Sequence, residues 1–275
     1  MTSPDLSSTA PRTAPSVQVV AHRGSSDALP EHTLAAYRRA LEEGADAVEC
    51  DVRVTADGEL VCVHDRRIGR VSNGRGTVSA MTLAELQSYD FGAWKTGRPS
   101  TDPELRGVLT LERLLELVVD CGRPVDLAIE TKHPVRFRGR VEAELLRMLE
   151  RFKISGTREG DRPSARIMSF SSIALDRVAA AAPDYPRVFL IERMLPLIGQ
   201  LREGRSLPGG ARIAGPGIDL VRAKPDLVPR LRELGHEVHV WTVDEPADVD
   251  LCLELGVSAI ITNKPAQVLA QLGRS

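Results

Sequence analysis

Two carboxylates stand two positions apart in a run that otherwise has the composition of a buried strand. Glu49 and Asp51 lie within Ala47–Val54, and the alternation of a strand places both side chains on one face of the sheet. Either they are solvated at a strand edge, or the two anions share a cation. Oxygen ligands suit Mg²⁺ or Ca²⁺, and the sequence contains no Cys/His cluster with zinc spacing. Glu130 ends another apolar run and offers a third carboxylate.

Two histidines also end apolar runs. His22 and Arg23 follow the first such run, and Gly24 then permits a sharp turn and close approach of a ligand to the backbone. His64 ends a second run. Imidazole titrates near neutral pH, so two histidines directed at one acidic cluster favour general acid–base chemistry. The alternative for each histidine is a structural role, in which it hydrogen-bonds a loop or a neighbouring strand.

The elements that must position these residues alternate between strand-like and helix-like segments, which is typical of a parallel α/β fold. Nine strands are predicted: Val17–Ala21, Ala47–Val54, Glu59–His64, Val125–Glu130, Arg166–Phe170, Arg187–Ile191, Gly217–Val221, Glu237–Val243 and Ala259–Thr262. The polar residues above, with Lys132 and Trp241, fall near the carboxyl ends of these strands. Because that end carries the active site of a TIM barrel, we predict a (β/α)8 barrel with its site there.

The ninth strand is expected to come from a hairpin, because Ala56-Asp-Gly58 supplies turn chemistry between two alternating runs. Six helices are predicted: Thr33–Glu43, Leu111–Asp120, Gly139–Phe152, Ser172–Ala181, Pro225–Leu234 and Pro246–Leu255. Residues 1–16 are expected to form a flexible tail and residues 17–275 a single barrel domain. An insertion at about 66–107, rich in Gly and Pro, is expected to carry one short helix near Leu83–Gln87.

The composition limits the possible partners. Of 275 residues, 36 are Lys or Arg and 38 are Asp or Glu, so the net charge of −2 gives no general attraction to nucleic acid or an anionic membrane. No apolar run is long enough for a membrane helix, and the N-terminal segment lacks the features of a signal peptide. Four cysteines without CxxC spacing indicate reduced thiols. We expect a cytoplasmic protein with a small-molecule substrate and no stable membrane insertion; the sequence does not define an oligomeric state.

At these residues the sequence resembles the glycerophosphodiester phosphodiesterase family, a set of TIM-barrel enzymes. The matching pieces occur in the family's order and span Val17 to about Pro265. They are Ala21-His-Arg-Gly24, Pro30-Glu-His-Thr33, Gly44-Ala-Asp-Ala-Val-Glu-Cys-Asp-Val52, Thr55-Ala-Asp-Gly58, Val63-His-Asp65, Ile129-Glu-Thr-Lys132, Ser169-Phe170, Trp241-Thr-Val243 and Thr262-Asn263. The insertion also falls where that family carries one, after the second histidine.

The resemblance implies a role for each matching residue. Glu49, Asp51 and Glu130 would bind the metal, Mg²⁺ or Ca²⁺. His22 and His64 would be the general acid and base, in either order, and Arg23 and Lys132 would hold the phosphate. The sequence departs from the family's usual pattern at two positions, where His32 replaces Asn and Asn263 replaces Asp. Neither residue is expected to touch the proposed metal ligands or catalytic histidines, but both are expected to affect the mouth of the site.

Several residues have two interpretations each. Glu31 either braces Arg23 or the metal shell, or is an exposed carboxylate at a helix start. Phe170 and Trp241 either form an apolar wall for the alcohol group or pack in the core. His32 either lines the site from its position in a loop or lies at the surface, and the surface is expected. His133 is expected at most at the rim of the site.

Three functions remain open. The leading one is metal-dependent hydrolysis of glycerophosphodiesters to glycerol 3-phosphate and an alcohol, with either water or the glycerol 2-hydroxyl as the first nucleophile. The second is a phospholipase D-type phosphodiesterase directed at lysolipids on the same barrel. The third is a barrel that binds phosphoesters without catalysis.

Overall fold

A closed sheet of parallel strands forms the centre of the computed structural model, which describes residues 17–134, 136–193 and 207–274. The strands are β1 (Gln18–His22), β2 (Ala47–Val54), β3 (Leu60–Cys62), β4 (Asp126–Thr131), β5 (Ala165–Ser169), β6 (Arg187–Ile191), β7 (Ile213–Pro216), β8 (Glu237–Val240) and β9 (Ala259–Thr262). The order is β1-β9-β8-β7-β6-β5-β4-β2, and the pairing of β1 with β2 closes the ring. The predicted (β/α)8 barrel is confirmed.

β3 is the one strand of the described residues outside the ring. It runs antiparallel to β2, with Val54 opposite Leu60. The turn chemistry of residues 56–58 therefore predicted the hairpin correctly. This hairpin returns the chain to the carboxyl end of β2, where Val63 donates its backbone N–H to the carbonyl oxygen of Asp51.

Helices cover the outside of the barrel and part of the insertion. They are α1 (Leu34–Glu42), α2 (Leu83–Gln87), α3 (Ala93–Thr96), α4 (Pro103–Arg106), α5 (Leu111–Val119), α6 (Arg140–Arg151), α7 (Ser172–Ala181), α8 (Ile218–Ala223), α9 (Leu227–Glu233), α10 (Pro246–Leu255) and α11 (Pro265–Gln271). No helix among the described residues is long and apolar enough to cross a membrane. The predicted N-terminal tail, residues 1–16, lies outside the described residues.

The predicted strand Gly217–Val221 is wrong. The sixth strand of the barrel is β7, Ile213–Pro216, and the segment that follows it forms α8. Gly215 and Pro216 gave this strand the composition of a turn, because both residues are usually depleted in strands. A glycine fits here because a Cβ at Gly215 would lie 2.8 Å from Cδ2 of Leu190, a buried side chain that would have to shift.

The interior of the barrel changes character along its axis. Val20, Ala47, Ala128 and Met168 belong to one buried apolar cluster inside the ring. Two further clusters fill the space between strands and helices. Because alternate residues of a strand share a face, the inward positions that follow Ala47 on β2 are occupied by carboxylates.

The insertion has a small core of its own. Ile68, Val78, Leu86 and Phe91 pack against Val61 of the hairpin and its neighbours. Short 3-10 turns at Ile68–Arg70 and Val78–Ala80 lead into α2. The insertion is therefore packed against the hairpin that carries the second histidine.

Candidate active site

Three buried carboxylates converge at the carboxyl end of the barrel. Glu49 and Asp51 lie on β2, and Glu130 lies on the adjacent strand β4, in register with Asp51. One oxygen of each residue lies within 4.8 Å of the others. The parallel pairing of β2 with β4 brings together side chains that are about eighty positions apart in the sequence.

Two cationic side chains and one histidine surround Asp51. Its Oδ2 lies 3.0 Å from Nε of Arg23 and 2.9 Å from Nε2 of His32. Nζ of Lys132 lies 2.8 Å from Oε1 of Glu130 and 3.2 Å from Oδ1 of Asp51. That Oδ1 is nevertheless buried without a hydrogen bond. A buried carboxylate oxygen that has an ion-pair neighbour but no well-formed hydrogen bond retains lone pairs for a metal ion.

The three carboxyl groups respond differently to this environment. Burial, with the charge of Asp51 nearby, raises the pKa of Glu130 to about 8 and the pKa of Glu49 well above its usual range. Burial alone would raise the pKa of Asp51 as well. Its cationic neighbours, foremost Arg23, outweigh that effect and hold the pKa well below its usual value. Without an added cation, the cluster therefore does not favour three ionised carboxylates.

His22 lies beside this cluster with a defined tautomer. Its Nδ1 is 2.7 Å from Oδ1 of Asn263, and its Nε2 is 3.9 Å from Oε2 of Glu49. Nδ1 therefore donates its hydrogen to the amide oxygen, and Nε2 is left for proton transfer. Burial, with a smaller contribution from Arg23, lowers the pKa of His22 to about 3.

The ring of His64 is also held through Nδ1, and its side chain is more exposed than that of His22. Its Nδ1 lies 2.8 Å from Oδ1 of Asp65. Its backbone carbonyl accepts two hydrogen bonds from Arg53, from Nε at 3.1 Å and from a terminal nitrogen at 2.6 Å. Partial burial lowers the pKa of His64. Both the ring and the backbone of this histidine are thus restrained.

The loop after β1 adopts a rare backbone conformation. Arg23 has φ +60° and donates its backbone N–H to the carboxylate of Glu49 at 3.1 Å. Nη1 of Arg23 donates to Oε1 of Glu31 at 3.0 Å. Of the two interpretations of Glu31, the structure therefore favours the one in which it braces Arg23. Left-handed residues other than glycine are uncommon, and they cluster at functional sites.

The expectation that His32 lies at the surface is wrong. Only 5% of this residue is exposed. Its Nδ1 lies 2.8 Å from the hydroxyl of Tyr37, and its Nε2 lies 2.9 Å from Asp51. The cause is a second left-handed residue, since His32 has φ +59° and folds the loop back toward β2. His133, predicted at most at the rim, lies 2.6 Å from the buried carboxylate of Glu142 on α6.

A cavity of about 260 Å³ opens over the cluster and has two different sides. Its lining residues are His22, Arg23, Glu49, His64, Glu130, Lys132, Met168, Phe170, Leu190, Glu192, Trp241, Thr242 and Ile261. Charged residues of β1, β2 and β4 line one side, and the side from β5 to β8 carries Phe170 and Trp241 together with Glu192. There the rings of Phe170 and Trp241 meet edge to face, with centroids 5.6 Å apart. A larger groove of about 420 Å³ lies on the outside between α1 and α5 and includes none of these residues.

The sequence analysis assigned no site role to three residues that contact this constellation. Asp65 and Asn263 each hold the Nδ1 of a histidine, and Glu192 lines the cavity. Asp65 and Asn263 belong to the sequence motifs that match the family, so those motifs could have indicated a place for them at the site. Glu192 follows a predicted strand directly and had no other signal.

The chain is similar to several named phosphodiesterases over most of its length. Residues 22–267 match the glycerophosphoryl diester phosphodiesterase family. The probable glycerophosphodiester phosphodiesterase 1 of Mycobacterium tuberculosis is 48% identical over 255 residues, which is 92% of each chain. The glycerophosphodiester phosphodiesterase of Bacillus subtilis is 33% identical over 256 residues, covering 90% of this chain and 84% of the relative.

The fold is shared with solved structures at lower identity. A phosphodiesterase from Oleispira antarctica, in complex with the product sn-glycerol-3-phosphate, has a TM-score of 0.78 at 23% identity and covers 93% of this chain and 96% of its own. This likeness supports the barrel architecture, while the sequence matches support the relationship. The chain belongs to the glycerophosphoryl diester phosphodiesterase family and is an enzyme of that class.

Proposed function

We propose that the chain hydrolyses glycerophosphodiesters to glycerol 3-phosphate and an alcohol in the cytoplasm, with a divalent cation bound in the acidic cluster. One observation carries the proposal: two histidines with tethered Nδ1 atoms line the same cavity as Arg23, Lys132 and carboxylates of the cluster. The proposal gives this chain the product that was found in the Oleispira antarctica phosphodiesterase.

The donor set suits Mg²⁺ or Ca²⁺, with Glu49, Asp51 and Glu130 as the residues that would hold the ion. All three supply oxygen, and Oδ1 of Asp51 is buried without a hydrogen bond. Two unit charges 4 Å apart repel by roughly 4 kcal/mol at an effective dielectric of 20, so bare carboxylates would reject a phosphodiester. When bound, the cation supplies charge that stabilises the phosphate oxygens during attack.

Arg23 and Lys132 would hold the phosphate at the side of the cavity that the charged residues of β1, β2 and β4 line. Both side chains are directed at the cluster in the structure, where they contact Asp51. Phe170 and Trp241 would then face the organic part of the substrate at the other side. The cavity therefore matches a molecule with one anionic and one less polar end.

His22 and His64 would divide the two proton transfers. One imidazole removes a proton from the nucleophile, and the other protonates the departing alkoxide, each contributing roughly 10²- to 10⁴-fold in rate. Since each Nδ1–H is bound to an oxygen acceptor, Nε2 is the atom that accepts or delivers the proton. Neither role requires movement of the ring out of its observed contacts.

The decisive experiment measures release of glycerol 3-phosphate from glycerophosphocholine. We expect turnover that EDTA abolishes and that added Mg²⁺ or Ca²⁺ restores, and we expect His22→Asn and His64→Asn to lose nearly all of it while remaining folded. Binding of the substrate without product under saturating cation would contradict hydrolysis and favour a non-catalytic barrel. Faster turnover of a long-chain lysophospholipid than of glycerophosphocholine would favour the lysolipid-directed alternative.

A second substrate assigns the histidines. A p-nitrophenyl ester of glycerol phosphate needs little protonation of its leaving group. The variant that lacks the general acid should therefore cleave this ester much better than glycerophosphocholine, whereas the variant that lacks the base should cleave neither. A substrate without the glycerol 2-hydroxyl distinguishes direct attack by water, which it permits, from initial formation of a cyclic phosphate, which it prevents.

A further inference from the structure

An unbroken series of side-chain contacts joins His64 to Arg23, two residues that line the cavity. Asp65 holds Nδ1 of His64 with one oxygen, and its other oxygen accepts from Nε of Arg70 at 2.6 Å. The two terminal nitrogens of Arg70 lie 2.8 Å from the two oxygens of Glu31. Glu31 in turn accepts from Arg23 at 3.0 Å. Arg70 therefore stands midway between the second histidine and the predicted phosphate ligand.

Arg70 belongs to the insertion, in a segment whose backbone is held by packing in the core of the insertion. It ends the 3-10 turn Ile68–Arg70, and Ile68 is fully buried in the core of the insertion. Its guanidinium presents Nε to Asp65 and the terminal nitrogens to Glu31. This use of three donors in one plane is available to arginine and not to lysine.

We propose that Arg70 is a positioning residue that fixes Asp65 and Glu31 together, so that the insertion sets the orientation of His64 relative to Arg23. The inference rests on the proposed function, in which His64 transfers a proton and Arg23 binds phosphate. A misplacement of about 1 Å in such a constellation lowers the rate by about 10²-fold. Isolated surface ion pairs contribute little, but paired bidentate contacts within a network are an exception.

The test compares Arg70→Ala with a matched control. Arg38 forms a similar two-bond pair with Glu104, at 3.0 and 2.7 Å, and its side chain is 45% exposed, close to the 44% of Arg70. It does not line the cavity. We expect Arg70→Ala to lower kcat/KM for glycerophosphocholine about 10- to 100-fold, as loss of a supporting contact typically does, and Arg38→Ala to leave it unchanged.

Rescue separates positioning from a general loss of structure. Because the Arg70 side chain is partly exposed, millimolar guanidinium should enter the space left in Arg70→Ala and restore a measurable part of the rate. It should not stimulate Arg38→Ala or the wild type. Arg70→Lys keeps the positive charge but cannot donate to Asp65 and to both oxygens of Glu31 at once, so it should remain impaired without added guanidinium. Asp65→Asn combined with Arg70→Ala should lose less than the product of the two single effects.

Several outcomes overturn the inference. Wild-type kcat/KM in Arg70→Ala does so directly, as does full activity in Arg70→Lys. A loss that guanidinium does not reverse and that parallels a lower Tm would assign Arg70 a structural role only. Absence of turnover by the wild type would contradict the proposed function and this inference with it, whereas normal wild-type turnover with an unimpaired Arg70→Ala contradicts this inference alone.

Discussion

Nδ1 of His22 lies 2.7 Å from the amide oxygen of Asn263, a residue 241 positions away in the chain. Asp244 fixes the orientation of that amide, because its carboxylate accepts from the side-chain Nδ2 at 2.6 Å and from the backbone N–H at 2.8 Å. A rotated amide would place its oxygen against a carboxylate. The pairing of β1 with β9 therefore determines which nitrogen of His22 carries the hydrogen.

Replacing Asn263 by Leu removes the acceptor for this hydrogen without a large change in volume. We expect kcat to fall about 10- to 100-fold, because the imidazole of His22 then samples other rotamers and tautomers. KM should change little, since Asn263 does not line the cavity. Steady-state kinetics with glycerophosphocholine provide the measurement, and wild-type kcat in this variant would contradict the positioning role.

A carboxylate at the same position gives a finer control. Asn263→Asp retains an acceptor for His22 but places two carboxylates against each other at Asp244. We expect this single variant to be impaired and the double variant with Asp244→Asn to regain most of the lost rate. Additive losses in the double variant would show that the two side chains act independently.

The three carboxylates are not equivalent in their contacts with cations. Asp51 and Glu130 each contact a lysine or arginine directly, whereas Glu49 accepts a backbone N–H from Arg23 and lies 3.9 Å from His22. Glutamine preserves that acceptor. Glu49→Gln should therefore keep the Tm of the cation-free protein close to that of the wild type.

The same variant should lose the response to added cation. A ligand that binds only the folded state stabilises it by RT ln(1 + [L]/Kd), so Mg²⁺ or Ca²⁺ should raise the Tm of the wild type and not of Glu49→Gln. Thermal unfolding with and without EDTA checks both statements. An equal rise in Tm in both proteins would place the cation elsewhere.

The sequence was most informative where chemistry follows strand periodicity. Glu49 and Asp51 share a face because they are two residues apart, and the barrel topology then brings Glu130 beside them. The orientation of His32 was not predictable in this way, because it depends on a left-handed backbone conformation at a residue that is not glycine. The contact of Arg70 with Glu31 joins two loops 39 residues apart, and only the packing of the insertion determines it.

The turn after β1 depends on close packing against α1. Gly24 has φ +83°, and a Cβ there would lie 2.6 Å from the carbonyl carbon of Ala36. Gly24→Ala should therefore lower the free energy of unfolding well beyond the roughly 1–2 kcal/mol of a left-handed alanine, and it should displace Arg23. Urea unfolding together with kcat/KM measures both effects.

Gly97 offers a matched comparison for this variant. It has φ +73°, and nothing lies within 4 Å of a Cβ built on it. Gly97→Ala should lose only the roughly 1–2 kcal/mol of unfolding free energy that a left-handed alanine costs, and it should retain normal activity. Equal losses of stability in Gly24→Ala and Gly97→Ala would mean that α1 shifts away from the turn at no measurable cost in free energy.

The amino-terminal end of the barrel contains a buried histidine that the proposed mechanism does not use. His239 on β8 is 4% exposed, and its Nδ1 has no hydrogen-bond partner among the described residues. Burial, and then the positive charge of Arg166, lower the pKa of His239 from its usual 6.5 to about 4, although Glu237 opposes this shift. The folded state therefore resists a protonation that the unfolded chain accepts.

The sign of the pH dependence follows from this difference. Between pH 6.5 and about 4 the unfolded state binds the additional proton at His239, so the contribution of His239 to stability falls as the pH is lowered through that window and is constant outside it. Relative to His239→Gln, the wild type should lose about 2 kcal/mol of unfolding free energy between pH 7 and pH 5. Urea unfolding at both pH values measures this difference. His236→Gln, at a partly exposed histidine three positions earlier, should retain the wild-type dependence, and the same slope in His239→Gln would show that other groups cause the acid sensitivity.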